Sequence, residues 1–245
     1  MARFRFAPLI LAALALASCG KKEEGAAGSS SGTVASVAAP AGTKWSEKVE
    51  LTDEGVRMGN PDAAIKIIEY GSYTCPHCAE FNKEAHDAIE KDYVNTGKIS
   101  FEYRNLVRDP VDITASLITH CADPSSYFAL TAQMFGNQEE MIKQIQAKGD
   151  GAYKAVMEGP PASRFTKLAE LSNLLEWGKQ RGIPEDKLRT CLADMGKAEK
   201  LAKISEEAGT KYNIQGTPSF LLNGNLLENT ATWDTLKAKL TDAGA

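Results

Sequence analysis

The chain has little that would serve a nucleic acid, a metal ion or a polytopic membrane fold. Its 28 Lys+Arg against 32 Asp+Glu give a net charge of −4, and the body carries no basic block, so no nucleic-acid partner is expected. There are only three histidines and five cysteines, and no second Cys-x-x-Cys completes a four-ligand zinc site. Ala79, not histidine, follows the second cysteine of the one such motif, which excludes a haem-attachment signature. No internal repeat is visible. What remains is a 245-residue chain, 43% hydrophobic and 24% charged, a composition that excludes collagen-like and wholly disordered classes. It is long enough to bury a core. No cofactor or metal is expected.

The N-terminus carries a targeting pattern. Arg3 and Arg5 precede Phe6–Ala17, a 12-residue apolar run broken only by Pro8. A membrane-spanning helix needs about 20 such residues, so the run has the size of a signal-peptide core, with a buried helix as the alternative. Leu16-Ala17-Ser18-Cys19-Gly20 resembles the bacterial lipobox. That resemblance implies a signal peptide over 1–18 and lipidation of Cys19. It places the body on the periplasmic face of the cell envelope, held to a membrane by its lipid. Gly20 lacks an acidic retention signal, which favours the outer membrane. Plain secretory cleavage near Ala17 is the alternative. Either route delivers the chain to an oxidising compartment. Residues 19–44 are rich in Gly, Ala, Ser and Thr, with no aromatic, Leu or Ile before Trp45. They are expected to form a flexible tether with a span of roughly 25–30 Å.

The folded body is expected over 45–245. Ala64–Tyr70 is a short apolar, β-branched run and reads as a buried strand ended by Gly71-Ser72. Cys75-Pro76-His77-Cys78 follows. Cys78, Phe81, Ala85, Ile89 and Tyr93 then recur at helical spacing. Pro76 falls in the first helical turn, where its missing N–H does no harm. Strand, turn, Cys-Pro-His-Cys and helix in this order place Cys75 at a helix N-terminus, where unpaired N–H groups and the helix dipole favour a thiolate. His77 can add a donor or a positive charge. The thiolate is the nucleophile of disulfide exchange, and Cys78, one turn further in, is placed to resolve a mixed disulfide. Half a zinc site and an inert bridge are the alternatives.

Near the C-terminus Gly216-Thr217-Pro218 leads into Ser219–Leu222, then Asn223-Gly224, then Asn225–Leu227, which reads as a hairpin. Ala231–Leu240 closes the chain as a helix with Trp233, Leu236 and Leu240 on one face.

Glu69–Cys78 together with Gly216-Thr217-Pro218 resemble the DsbA branch of the thioredoxin superfamily, over about residues 45–245. The resemblance implies an α/β thioredoxin fold with a helical domain inserted at about 109–209. It implies a redox-active disulfide Cys75–Cys78 and a cis-proline at Pro218 packed beside it. Thr217 would offer backbone hydrogen bonds to a substrate strand, and Glu69 would be a buried acid that relays a proton. Strand alternation alone does not say whether Glu69 faces the core or water. Four body cysteines allow three pairings. Some relatives carry a second bridge, which here would be Cys121–Cys191, and two buried free thiols are the alternative. His86, on the solvent side of the active-site helix, and His120, inside the insert, are given no catalytic role.

The implied activity is a thiol:disulfide oxidoreductase that introduces disulfides into exported polypeptides. A DsbB-type membrane partner would reoxidise it, and it would act as a monomer. A reductase or isomerase running the same dithiol chemistry, or a redox-silent lipid-anchored chaperone, are the alternatives.

Overall fold

The computed structural model describes Met1 and residues 32–245. Apart from Met1, the signal peptide expected over 1–18, Cys19 and the first half of the expected tether lie outside the described residues. The later part of that tether does not run free. Val34 N–H donates to the Gly244 carbonyl (2.8 Å) and Val37 N–H to the Thr96 carbonyl (2.9 Å). Trp45 Nε1 donates to the Val37 carbonyl at 2.7 Å. Gly97 makes room for this segment: its φ is +72°, and a Cβ there would meet the Val37 carbonyl oxygen.

The apolar run read as a strand is β3 (Ile65–Gly71), and it leads into α1 (Pro76–Ala88). The helical path continues as a π turn over Ile89–Tyr93 and a short 3-10 turn over Val94–Thr96, before β4 (Ile99–Asn105). β3 and β4 pair in parallel, with Glu69 opposite Tyr103, so β3–α1–β4 is one crossover unit. Two strands not read from the sequence precede it, β1 (Val49–Leu51) and β2 (Val56–Gly59). The C-terminal hairpin is β5 (Ser219–Leu222) and β6 (Asn225–Leu226), and Asn223 and Gly224 both take positive φ, as a tight type I′ turn requires. The strand order is β1-β2-β4-β3-β5-β6.

Between β4 and β5 the chain leaves the sheet for eight helices. These are α2 (Pro110–Thr119), α3 (Tyr127–Gly136), α4 (Gln138–Lys148), α5 (Asp150–Glu158), α6 (Pro161–Leu171), α7 (Leu174–Gln180), α8 (Glu185–Leu192) and α9 (Met195–Tyr212). Gly149 and Gly159-Pro160-Pro161 fall at the α4/α5 and α5/α6 breaks. The closing helix is α10 (Trp233–Asp242), capped by Thr232. The architecture is therefore a thioredoxin fold carrying a helical insert.

The sheet has two different faces. Ile65, Ile67 and Phe220 join Phe81 of α1, Leu236 and Leu240 of α10, and much of the insert in one large core. Tyr70 and Leu221 point the other way, onto Ile204 and Ala208 of α9. Period-two alternation along β3 thus puts Glu69 on the large-core side, where it is 2% exposed.

Candidate active site

The site begins where β3 stops. Gly71 to Cys75 is a buried loop, and Cys75 caps α1 in extended conformation with Pro76 at the first helical position. Cys78 N–H (3.1 Å) and Ala79 N–H (3.2 Å) donate to the Cys75 carbonyl. Cys75 is 4% exposed and Cys78 is fully buried, and both are free thiols. Pro76 and His77 are exposed. The His77 ring lies by Glu80, Nδ1 to Oε2 3.9 Å, so its contribution to Cys75 comes from its backbone N–H.

Across from α1, the Thr217–Pro218 peptide is cis and opens β5. β5 pairs antiparallel with β3, Phe220 opposite Glu69 and Ser219 opposite Tyr70, which carries Thr217 to the cysteine end of β3. The Cys75 thiol donates to the Thr217 carbonyl at 3.2 Å. Cys75, Cys78, Thr217, Pro218 and Glu69 thus lie together, although 142 residues separate Cys75 from Thr217.

The helical insert holds the loop from behind through three side chains that sequence reading did not single out. Asp112 of α2 is fully buried. It accepts from the Ser72 hydroxyl (2.5 Å), from Tyr73 N–H (2.9 Å) and from Arg108 N–H (3.1 Å). Asp109 caps α2 by accepting from Val111 N–H and Asp112 N–H, and also accepts from the Thr74 hydroxyl at 2.7 Å. Gln138, at the start of α4, donates its amide to the carbonyls of Tyr73 (2.8 Å) and Cys75 (2.9 Å). Asp109-Pro110 is a legible helix-start signal, but nothing local marks Asp112 or Gln138 as partners of a loop some 40 and 65 residues earlier.

Ionisation differs sharply between the two sulfurs. The Cys75 thiol is held down at about 4, first by the hydrogen bond from the Cys78 thiol, then by the Thr217 side chain and the backbone N–H groups of Cys78 and His77, against the opposing effect of burial. The Cys78 thiol is pushed up, first by burial, then by donating to Cys75 and by the Glu69 and Cys75 charges. Burial, then the Cys75 charge, lifts the Glu69 carboxyl to about 8. Burial, then the Asp109 charge, lifts Asp112 to about 7, in spite of its three donors.

Two further groups were in question. Cys121 and Cys191 are bonded to each other, joining the loop after α2 to α8 across 70 residues. His120 is half-buried with Nε2 2.9 Å from Asn105 Oδ1, and desolvation of the ring lowers its imidazole to about 3. His86 is half-buried rather than solvent-facing.

A family model described as thioredoxin matches residues 51–242. The crystal structure of a protein-disulfide isomerase from Novosphingobium aromaticivorans is 35% identical with a TM-score of 0.72, covering 75% of this chain and 94% of that one. A Rickettsia prowazekii protein provisionally named a protein-disulfide oxidoreductase is 30% identical over 181 residues, 74% of this chain and 58% of its own. Disulfide bond formation protein D of Bacillus subtilis is 24% identical over 184 residues, 74% of this chain and 72% of its own. The chain spans 55–61% of the length of the first four Rickettsia relatives it matches.

Proposed function

Because this chain belongs to the thioredoxin family, we propose that its Cys75–Cys78 pair exchanges disulfides with protein thiols and runs in the oxidising direction. The observation that carries the reading is the split between the two sulfurs. At pH 7 a thiol titrating near 4 instead of in its ordinary range stabilises the reduced enzyme by about 4 kcal/mol. That raises the potential of the pair by about 90 mV over one with ordinary thiols. A stable Cys75 thiolate is also a good leaving group in the reverse attack, so mixed disulfides at Cys75 turn over quickly.

In the forward step a client thiolate attacks Cys75 Sγ. The S–S bond breaks, its electron pair goes to Cys78 Sγ, and Cys78 takes up a proton, for which Glu69 is the nearby acid. A second client thiolate then attacks the client sulfur, forming the client disulfide and releasing the Cys75 thiolate. Thr217 offers its backbone polar groups to the client strand, and Pro218 keeps that edge against the pair. Export, lipidation at Cys19, a tether from Cys19 to the docked segment that begins at Val34, reoxidation by a DsbB-type membrane partner and a monomeric state belong to the same reading. So does an envelope location on the periplasmic face. They rest on the sequence pattern and on the family.

A second reading has one observation in its favour: the 35%-identical structure is named an isomerase, whereas the Bacillus relative is named for disulfide formation. Titration of the pair against glutathione separates them. A potential near about −120 mV supports the oxidant, one near about −180 mV the isomerase, and one near about −270 mV a reductant. Cys78→Ala adds a test of exchange itself: clients should accumulate as mixed disulfides at Cys75, and purely non-covalent capture would support a chaperone instead.

A further inference from the structure

Each turn of the exchange chemistry proposed above loads and unloads one proton at Cys78, yet Cys78 is fully buried and Glu69 is 2% exposed. A path to solvent is therefore required. Glu69 borders a narrow cavity of about 10 Å³, shared with Phe81, His86, Phe101, Tyr103 and Thr131. That volume is the lower limit for a single water molecule. Two of the lining residues carry a buried polar atom with no hydrogen-bond partner among the described residues, Glu69 Oε1 and the Tyr103 hydroxyl. Leaving a buried polar group unpaired costs about 1–3 kcal/mol, so the cavity is built to take a small polar guest.

The cavity does not end in the core. Asn82 and His86, on successive turns of α1, line both it and an open groove of about 640 Å³ bordered by Lys83, Phe135, Gln138 and Glu139. The partition between the buried carboxyl and solvent is thus one side chain thick. His86 is the one imidazole on either lining.

We propose that His86 is the proton relay between Glu69 and solvent, passing a proton from the groove to the cavity through its two ring nitrogens. When the disulfide is reduced, the bond's electron pair goes to Cys78 Sγ, which takes the Glu69 proton. Glu69 is then recharged across the cavity from His86, and His86 is recharged from water in the groove. Reoxidation runs the same transfers outward. The redox partner is the thiol or disulfide already proposed, and no other reactant is needed. The charged groups around the ring are Asp87, Glu90 and Lys91 on its own helical run, Glu80, Lys83 and Glu139 at the groove, and Glu69 across the cavity. α3 presents Phe128, Thr131, Ala132, Phe135 and Gly136, none of them charged.

The test is stopped-flow reduction of the full-length oxidised protein by glutathione, in dilute buffer, from pH 5 to 9. His86→Ala should slow the reaction around neutral pH by about a hundredfold, at the low end of what a positioned proton-transfer group contributes, and added imidazole should restore it. His86→Phe, which fills the partition, should be slow and refuse rescue. Equilibrium potential and Cys75 ionisation should match the unaltered protein in both variants. A pH–rate profile unchanged in both variants overturns the proposal, and so does a slow His86→Ala that imidazole leaves slow. Failure of the unaltered protein to exchange with glutathione at all removes the dithiol reading itself, and the relay with it.

Discussion

Two regions meet at the cysteine pair and treat ionisable groups in opposite ways. On the outer side, the start of α1 surrounds Cys75 with donors: the Cys78 thiol, the Thr217 side chain and two backbone N–H groups. There the anion is the stable form. On the inner side, Cys78 and Glu69 sit against an apolar core and keep their protons, because burial penalises charge and no cation among the described residues offsets it. Three residues of helix separate the two environments. The contrast teaches that one turn of α1 acts as a boundary between solvation by fixed dipoles and desolvation by the core.

The comparison can be broken most forcefully through pH. Cys75 titrates near 4 folded and near its ordinary value of about 8.5 unfolded, so between those pH values the unfolded reduced chain binds more protons. Reduced-state stability from this group therefore rises with pH across that window and is lost as pH falls through about 4. The oxidised protein lacks the titration. The gap between reduced and oxidised unfolding free energies should widen by about 1.4 kcal/mol per pH unit, reaching about 6 kcal/mol over the window. Urea unfolding of both forms at a series of pH values measures it, and a flat gap would end the claim that the outer side prefers the anion.

Next in size is the insert's own staple. Replacing Cys121 and Cys191 with Ala removes a 70-residue link, which in the chain-entropy account stabilises by about 4 kcal/mol. Cys75 ionisation, read by thiolate absorbance, should not move, since the staple acts on the insert and not on the boundary.

Asp112→Ala comes third. It strands the Ser72 hydroxyl and two N–H groups in a buried site and should destabilise by about 2–3 kcal/mol at neutral pH. Asp112→Asn sharpens the point. A carboxyl lifted to about 7 binds its proton more tightly folded than unfolded, so its contribution to stability is full at acid pH and falls as pH rises from about 4 to about 7. The Asn variant should lose that fall. The smallest expected effect is Gln138→Ala, which frees the carbonyls of Tyr73 and Cys75 for about 1–2 kcal/mol. Its pH dependence should match the unaltered protein, and a changed slope would assign Gln138 a part in setting Cys75.

By itself the amino-acid sequence determined what depends on neighbours along the chain. An apolar run fixed β3, Pro76 fixed the start of α1, Asn223-Gly224 set the hairpin, and glycine and proline clusters broke the insert into helices, because dihedral preference and side-chain period act within a few residues. The Cys-Pro-His-Cys motif and the Thr217-Pro218 dipeptide were legible as a site for the same reason. Only the tertiary structure decided the rest: the strands β1 and β2, the inward face of Glu69, the loop's dependence on Asp112 and Gln138, and the place of His86 between cavity and groove. Each of those is settled by packing between segments distant in sequence. Burial and hydrogen-bond pairing are properties of the assembled neighbourhood, and a residue's letter does not carry them.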